Sequence, residues 1–427
     1  MAENETVFEE ISRDLLHFIS KSPSPFHAAR GIKAAFVYDR AIELREEDDW
    51  EIEPGRKYVV TRNGSAVIAF TIPEGEVRDF RIIAAHSDSP TFRIKENPEI
   101  CDGPYVRLNV EQYGGMIMST WMDRPLTVAG RVIVKENGHL VPKLIAAGRP
   151  LLVIPSLAIH MNREVNQGYA WNVQKDLLPL YGMKDGPISF MDVIAAEAKC
   201  KKEDIYGHDL SLVSLVPGTI WGADNSFVSS PRLDDLQCAF AAFRGYTMGK
   251  KEKHISVFAL FDNEEVGSGT RQGAGSTFLA DTLVRLTAAL HIPQEKLLAM
   301  LSRSFMISAD NAHAVHPNYA SESDPVNRPV LNGGIVIKFN AQQKYCTDGW
   351  TAAFFRNLCE EADVPVQVFT NRSDRLGGST LGNISITKVA VPTVDIGLPQ
   401  LAMHSSYETA GVLDTAYLVT AAARFFE

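Results

Sequence analysis

The part of the chain after residue 230 alternates short apolar runs with longer amphipathic stretches. The apolar runs have the length and the β-branched content of buried strands: HISVFALF, SFMISAD, GGIVIKFN, VPVQVFT and KVAVPTVDIG. The stretches between them, such as STFLADTLVRLTAAL and TDGWTAAFFRNLCEEA, have the apolar spacing of helices. Because strand alternates with helix, we predict an α/β fold in which a mixed sheet is sandwiched by helices.

The pattern of apolar residues changes twice along the chain before residue 230. Residues 6–35 have helical periodicity interrupted by KSPSPFHAA, and the runs KYVVT, SAVIAFTI and FRIIAAH that follow predict strands. Residues 93–222 contain short alternating segments, many turn signals and few helical patterns. We therefore predict a discontinuous α/β domain of residues 1–92 and 223–427, with an inserted β-rich domain at 93–222.

Composition excludes several classes of protein. With 427 residues and 45% apolar content the chain is long enough for two packed domains, and no run approaches the roughly 20 apolar residues of a membrane helix. The formal charge of −10, without a basic run, argues against a nucleic-acid surface. Five scattered cysteines argue against disulfides or a thiolate zinc site, and an acidic N-terminus without a signal pattern predicts a cytoplasmic protein.

Metal-type side chains follow four of the predicted strands, directly where each strand ends. In open α/β sheets the carboxyl ends of the strands border the functional crevice, so these side chains are expected to converge. Asp234, in SPRLDDL, opens a predicted helix and could face the same crevice. Imidazole and carboxylate ligands without thiolate suit zinc, cobalt or manganese. The strand-end residues are His86 and Asp88; Asp262, Glu264 and Glu265; Asp310; and His404.

Each of these residues also has a structural interpretation. A single histidine after a strand is often a loop residue, and Asp234 and Asp235 could be helix N-terminal charges. Adjacent glutamates such as Glu264 and Glu265 are often solvated. His313 and His316 are alternative metal ligands or substrate contacts. Apart from His160, the remaining histidines lack acidic sequence partners and are interpreted as structural: His17, His27, His139, His208, His254 and His291.

Five motifs in order resemble those of the M18 family of metallo-aminopeptidases, which includes the aspartyl aminopeptidases: HSDSP, SPRLDDL, DNEEVGS, SADNAHAVHPNY and MHSSYE. The resemblance implies a zinc-peptidase-type fold with two Zn²⁺ ions per subunit, Co²⁺ or Mn²⁺ being alternatives. It also implies that Asp234 bridges the two metals. The implied ligands are His86, Asp234 and Asp310 for one zinc and Asp234, Glu265 and His404 for the other.

The resemblance also implies separate roles for the two adjacent glutamates. Glu265 is the metal ligand, whereas Glu264 is the general base that takes a proton from water and later delivers it to the leaving amine. Such a role requires a carboxyl pKa raised by burial and by acidic neighbours. Asp88 is expected to position His86. A metal supplies Lewis acidity at the peptide carbonyl and lowers the pKa of water.

Assembly and substrate preference are further implications of the resemblance. The inserted domain is expected to mediate dimerisation, and six dimers are expected to form a homododecamer in which His160 reaches a neighbouring active site. Lys338 and Tyr345 are expected to contact an acidic side chain of the substrate, which favours peptides beginning with Asp or Glu. Alternatively, His160 is a surface loop histidine and Lys338 is an edge-strand lysine.

The predicted function is therefore a di-zinc aminopeptidase that prefers acidic N-terminal residues and requires a free N-terminal amine. Three alternatives remain open. The protein could be a general aminopeptidase of the same family that prefers apolar residues, a non-catalytic scaffold relative, or a deacylase or carboxypeptidase of the broader zinc-peptidase group. The intact set formed by Glu264 and the five metal ligands favours an enzyme over a scaffold.

Overall fold

A computed structural model describes residues 2–427, and their side chains from Val7 onward. The chain divides into two compact units. Of the described residues, the first comprises 2–88, 218–403 and 408–427, and the second comprises 89–217 and 404–407. Within the described residues, every helix is too short or too polar to cross a membrane.

Helices are concentrated in the first unit, and only α3 and α4 belong to the second. The helices are α1 (Ala2–Lys21), α2 (Pro25–Tyr38), α3 (Val173–Asp176), α4 (Phe190–Ala198), α5 (Leu233–Met248), α6 (Phe278–Ala289), α7 (Gln294–Arg303), α8 (Gly349–Glu361), α9 (Leu381–Ser385) and α10 (Asp414–Phe425).

Strands of the first unit precede and follow the second unit along the chain. Those that precede it are β1 (Ile42–Leu44), β2 (Lys57–Arg62), β3 (Ala66–Thr71) and β4 (Phe80–His86). The second unit contributes β5 (Thr91–Asp102), β6 (Tyr105–Tyr113), β7 (Leu126–Glu136), β8 (His139–Ala146), β9 (Leu180–Met183) and β10 (Ile205–Ser214). The first unit resumes with β11 (Thr219–Trp221), β12 (Phe227–Ser230), β13 (Ile255–Phe261), β14 (Phe305–Ala309), β15 (Ala312–His313), β16 (Ile335–Phe339), β17 (Val366–Thr370), β18 (Thr393–Gly397), β19 (Pro399–Leu401) and β20 (Glu408–Gly411).

A nine-stranded mixed sheet forms the centre of the first unit, in the order β1-β2-β3-β13-β4-β14-β18-β16-β17. Its four middle strands, β13, β4, β14 and β18, run parallel to one another. Their carboxyl ends therefore lie along one edge of the sheet. A five-stranded sheet of the same unit has the order β11-β12-β20-β19-β15.

Both faces of the central sheet are buried. On β4, Ile83 and Ala85 belong to one apolar cluster, which includes residues of α2, α5, α8 and α10. Ile82 and Ala84 belong to the opposite cluster, which includes residues of α6 and α7. Successive side chains of a strand point to opposite faces, so a strand buried on both sides must be apolar throughout. This arrangement confirms the predicted sheet sandwiched by helices.

The second unit is built on a six-stranded antiparallel sheet of order β8-β7-β10-β5-β6-β9. Its own apolar core includes Phe92, Trp121 and Phe190, which explains how this part of the chain forms a separate compact unit.

Local sequence patterns located most elements of the first unit correctly. The run FRIIAAH coincides with β4, and the helical N-terminal region is interrupted at 22–24, inside the predicted KSPSPFHAA break. The interpretation of Lys338 as an edge-strand lysine is wrong, because β16 is hydrogen-bonded between β17 and β18. The edge strand on this side of the sheet is β17, which the local pattern of β16 could not reveal.

Candidate metal centre and active site

Three neighbouring parallel strands bring the predicted site residues of the first unit together. His86 is the last residue of β4, Asp310 directly follows β14, and Glu264 and Glu265 lie on a single 3₁₀ turn shortly after β13. Because β13, β4 and β14 are adjacent in the sheet, residues far apart in sequence meet at one edge. The predicted convergence of these four residues is therefore observed.

The imidazole of His86 is buried with its two nitrogens in different surroundings. Nε2 lies 3.6 Å from Asp234 Oδ1 and 3.9 Å from Asp310 Oδ1. Nδ1 lies 3.3 Å from Asp88 Oδ1 and 3.1 Å from the Asp88 main-chain oxygen. A proton on Nδ1 bonded to Asp88 leaves the Nε2 lone pair directed at the carboxylates, which is the tautomer that a metal ligand requires.

Asp88 also contacts the turn that carries the two glutamates. Its Oδ1 accepts a hydrogen bond from the backbone N–H of Glu264, and its Oδ2 accepts one from that of Glu265, each at 3.1 Å. One buried carboxylate thus connects the end of β4 with the turn after β13. This geometry is compatible with the positioning role predicted for Asp88 toward His86, and it places the same carboxylate in contact with the backbone of Glu264.

Asp234 and Asp235 lie at the start of α5, where their backbone angles are not helical, and the peptide bond between them is cis. The backbone N–H of Asp234 donates to the buried carboxylate of Glu408 at 3.0 Å. Asp235 is fully buried, and its carboxylate accepts hydrogen bonds from the backbone N–H groups of His86 and Asn311. Asp235 is thus more than the helix N-terminal charge inferred from the sequence. Sequence reasoning missed its place in the site.

Crowding of buried carboxylates perturbs the protonation of the whole cluster. Burial raises the pKa of Glu264 to about 8; His86 opposes this rise, and the charges of Asp310, Asp88 and Asp234 add to it. Burial likewise raises the pKa of Glu265 well above its usual value, with Asp234 the largest charged contributor. Burial disfavours protonated His86, yet the carboxylates, Asp235 foremost, raise its pKa. The elevated pKa of Glu264 has the direction predicted from the sequence.

These residues fit a divalent metal ion. His86, Asp234, Asp235 and Asp310 each offer a ligand atom, and the four atoms all lie within 4.8 Å of one another. Several buried carboxylates this close together repel one another, and a bound cation removes both the repulsion and the desolvation penalty. Nitrogen and oxygen donors without sulfur suit zinc in a catalytic site. The predicted first ligand set of His86, Asp234 and Asp310 is contained in this cluster.

Lys338 approaches the cluster from β16. It is 2% exposed, and its Nζ donates to the main-chain oxygen of Asp310 at 2.7 Å and lies 3.7 Å from Asp310 Oδ2. Burial lowers the pKa of Lys338, but the Asp310 charge outweighs burial and raises it overall. The Tyr345 ring centroid lies 5.3 Å from Nζ. Lys338 and Tyr345 are therefore adjacent, as their predicted shared role requires.

The other predicted site residues lie outside this cluster or in the second unit. His404 belongs to the second unit, where its main-chain oxygen accepts a hydrogen bond from the backbone N–H of Ile117. His160, also in the second unit, is exposed on a turn. In the described part of the chain, the potential metal-binding groups include neither His313 nor His316, which instead line a separate cavity of about 360 Å³.

Strand-end carboxylates around a buried histidine, beside a glutamate of raised pKa, are typical of metal-dependent hydrolases. The model of the family described as aminopeptidase I zinc metalloprotease (M18) matches residues 18–426. A probable M18 family aminopeptidase 2 of Clostridium novyi is 48% identical, covering 96% of both chains. The chain therefore belongs to the M18 family and is a metallo-aminopeptidase, an enzyme that hydrolyses peptide bonds.

Solved structures of the family share the whole fold. The chain in a structure of the Ape4 and Nbr1 complex is 36% identical, with a TM-score of 0.94 over 98% of this chain and 86% of that one. The Saccharomyces cerevisiae mApe1 dodecamer is 25% identical, with a TM-score of 0.86 over 98% of this chain and 97% of that one. The predicted fold class and family are thus confirmed.

Proposed function

We propose that this metallo-aminopeptidase is a di-zinc enzyme that removes N-terminal residues, preferentially Asp and Glu, from peptides with a free amine. The observation that carries the proposal is the position of His86 Nε2 between the carboxylates of Asp234 and Asp310, beside Glu264 on the neighbouring strand end. Family membership supplies the reaction class, and the donor set supplies the chemistry of the metal.

In this proposal His86, Asp234 and Asp310 would hold one zinc, and Asp234, Glu265 and His404 would hold the other, so that Asp234 would be a ligand shared by both. The ions supply Lewis acidity at the scissile carbonyl and a lowered pKa for water; cobalt and manganese accept the same donors. The donor chemistry and the matching family motifs support this ligand set. For His404, the support is the family motif alone.

Glu264 is the proposed general base and acid. Its carboxylate takes a proton from the attacking water and returns it to the amine that leaves. Burial raises the pKa of this carboxyl above its ordinary value, and a raised carboxyl pKa favours proton transfer in both directions near neutral pH. Asp88, bonded to the backbone N–H of Glu264, fixes where that carboxylate sits.

The preference for acidic residues rests on Lys338 and Tyr345. An acidic substrate side chain inside the site needs a positive partner, because an unpaired buried carboxylate costs several kcal/mol. The ammonium group of Lys338 is buried next to the cluster of potential metal ligands and beside the Tyr345 ring, which supports this assignment. Its contacts with Asp310 mean that a substrate carboxylate would share Lys338 with a metal ligand.

Assembly into a homododecamer of six dimers is also proposed, with the second unit forming the dimer contact. The support is a solved relative that is itself a dodecamer, together with the exposed position of His160. In such an assembly His160 would contribute to a neighbouring site, and an isolated subunit would have little activity. The cytoplasmic location predicted from the sequence remains a prediction.

Metal analysis combined with a substrate panel tests the function. The full chain, stripped of metal and reloaded with zinc, is expected to bind two zinc ions per subunit and to release free amino acid from Asp-, Glu- and Leu-initiated peptides. An N-acetylated copy of each peptide serves as the matched control and is expected to be refused. Cleavage of the acetylated peptides would indicate a deacylase, and no turnover of any peptide at full zinc loading would indicate a scaffold.

A further inference from the structure

Asp235 bridges two neighbouring strand ends of the central sheet. Its Oδ2 accepts a hydrogen bond from the backbone N–H of His86 at 3.1 Å, and its Oδ1 accepts one from that of Asn311 at 3.2 Å. The register of β4 with β14 ends at the pair Ala84 and Ser308. Both N–H groups lie beyond that pair, so the carboxylate of Asp235 continues the connection between the strands where the ladder stops.

A buried network of hydrogen bonds, centred on the side chain of Asn311, holds one of the two backbone partners of Asp235 in place. The side-chain amide of Asn311 donates to the main-chain oxygen of Leu233 and to the side-chain oxygens of Gln237 and Gln400, at 3.2, 3.1 and 2.8 Å. The thiol of Cys238 donates to Asn311 Oδ1 at 2.9 Å. All of these side chains are buried, where hydrogen bonds between polar groups are stronger than in water. The network ties the start of α5 to the backbone that follows Asp310.

The residues that the bridge joins are next to or among the proposed metal ligands. Asp235 follows Asp234, bonds the backbone of His86, and bonds the residue after Asp310. These three ligands come from separate segments of the chain, so their spacing depends on how those segments are held together. We propose that Asp235, supported by Asn311, is a positioning residue that fixes the backbone of His86, Asp234 and Asp310 relative to one another.

This inference rests on the proposed metal site, and it differs from the assignment of Asp235 as a ligand. One Asp235 oxygen lies within 4.8 Å of the other potential ligand atoms, so proximity alone would allow coordination. Yet each of its oxygens already accepts a backbone hydrogen bond from a different strand end. The two roles of Asp235 lead to different expected results. Removing a metal ligand lowers the number of zinc ions bound at saturation, whereas removing a positioning residue lowers the affinity for zinc.

Asp235→Asn tests the proposal, with Asp414→Asn as the matched control. Asp414 is likewise fully buried and accepts two backbone hydrogen bonds, from Asn332 and Gly334, but lies outside the cluster. Each substitution replaces one accepting oxygen by a donor. For the full chain, we expect Asp235→Asn to weaken zinc binding roughly tenfold to a hundredfold while keeping the wild-type number of zinc ions at saturation. We expect Asp414→Asn to keep the wild-type zinc affinity.

Unchanged zinc affinity in Asp235→Asn, an equal loss in Asp414→Asn, or one fewer zinc ion at saturation in Asp235→Asn would each overturn the proposal. Asn311→Ala keeps the backbone N–H that donates a hydrogen bond to Asp235 and removes only the side-chain amide of the network. It therefore tests the positioning role of Asp235 if Asp235→Asn does not fold. We expect it to weaken zinc binding up to roughly tenfold; wild-type affinity would contradict the network. A wild-type protein that binds no zinc refutes the proposed function itself, whereas normal wild-type binding with unaffected variants refutes this inference alone.

Discussion

His86 Nδ1 lies 3.3 Å from Asp88 Oδ1, and the same carboxylate oxygen accepts a hydrogen bond from the backbone N–H of Glu264. A proposed metal ligand and the proposed general base therefore depend on one buried side chain. Carboxylates that orient a ligating histidine fix its tautomer and raise its basicity. In this enzyme the same group also accepts hydrogen bonds from the backbone of the turn after β13.

Asp88→Asn is expected to lower both zinc affinity and kcat. An asparagine keeps one accepting oxygen but directs an amide donor at the backbone N–H of Glu264 or Glu265, so the turn must move. Losses of roughly tenfold to a hundredfold in zinc affinity are expected, measured by zinc competition titration. Asp414→Asn is the control for loss of a buried carboxylate. A variant with wild-type affinity and wild-type kcat would contradict the positioning role.

Glu264→Gln is expected to bind zinc and substrate normally but to lose turnover. Glutamine has nearly the same size as glutamate and cannot take a proton from water, so kcat should fall by roughly 10² to 10⁴ while KM changes little. Zinc content measured on the same sample separates this loss from a metal defect. Exposed Glu322, exchanged in the same way, is the control. A kcat within tenfold of the wild-type value would exclude Glu264 as the general base.

Strand ends were the predictable part of the site, because the apolar run of β4 and those of its neighbours define where each strand stops. The convergence of His86, Glu264 and Asp310 then follows from the geometry of parallel sheets, whereas their separate roles come from the family resemblance. Asp235 was not predictable in the same way. In the sequence it is an acid at a helix start, and only the packing of α5 against two strand ends gives its carboxylate two backbone partners.

Lys338 illustrates the same limit for strand order. A lysine after an apolar run has no local signal that separates an edge strand from an interior one. Its position between β17 and β18 depends on pairing with segments further along the chain. The interior position of β16 means that the charge of Lys338 cannot reach solvent as that of an edge-strand lysine does. An interior lysine of 2% exposure must have a buried partner, and here Asp310 is that partner.

Lys338→Met is expected to reduce activity most strongly on acidic substrates. Loss of the buried positive partner should cost about 3 kcal/mol, roughly a hundredfold in kcat/KM, for Asp- and Glu-initiated peptides. Leu-initiated peptides should lose much less at equal zinc content, which is measured because Lys338 also contacts Asp310. Tyr345→Phe, which keeps the ring, is the comparison variant. Equal losses on all peptides, or a wild-type preference for Leu, would show a general aminopeptidase with a structural Lys338.

The last prediction concerns His27, a buried residue of α2 whose Nδ1 lies 2.8 Å from Ser24 Oγ. Burial lowers the pKa of His27 to about 4, and the charges of Arg30 and Arg232 add to this effect. In the unfolded chain a histidine has a pKa of about 6.5. Between these values the unfolded state binds more protons than the folded state, so stability must fall as the pH falls from about 6.5 to about 4.

His27→Asn should remove this pH dependence, because asparagine can accept the same hydrogen bond but does not titrate. Between pH 7 and pH 5 the wild-type protein should lose about 2 kcal/mol more free energy of unfolding than the variant. Urea unfolding of the zinc-free protein at both pH values measures this difference, and subtracting the two proteins cancels the titration of distant groups. His17→Asn, an exchange at an exposed position of α1, is the control and should behave as the wild type. If His27→Asn and the wild-type protein lose stability in parallel, the neutral form of His27 does not contribute to folding, and the acid sensitivity of the fold must arise from other groups.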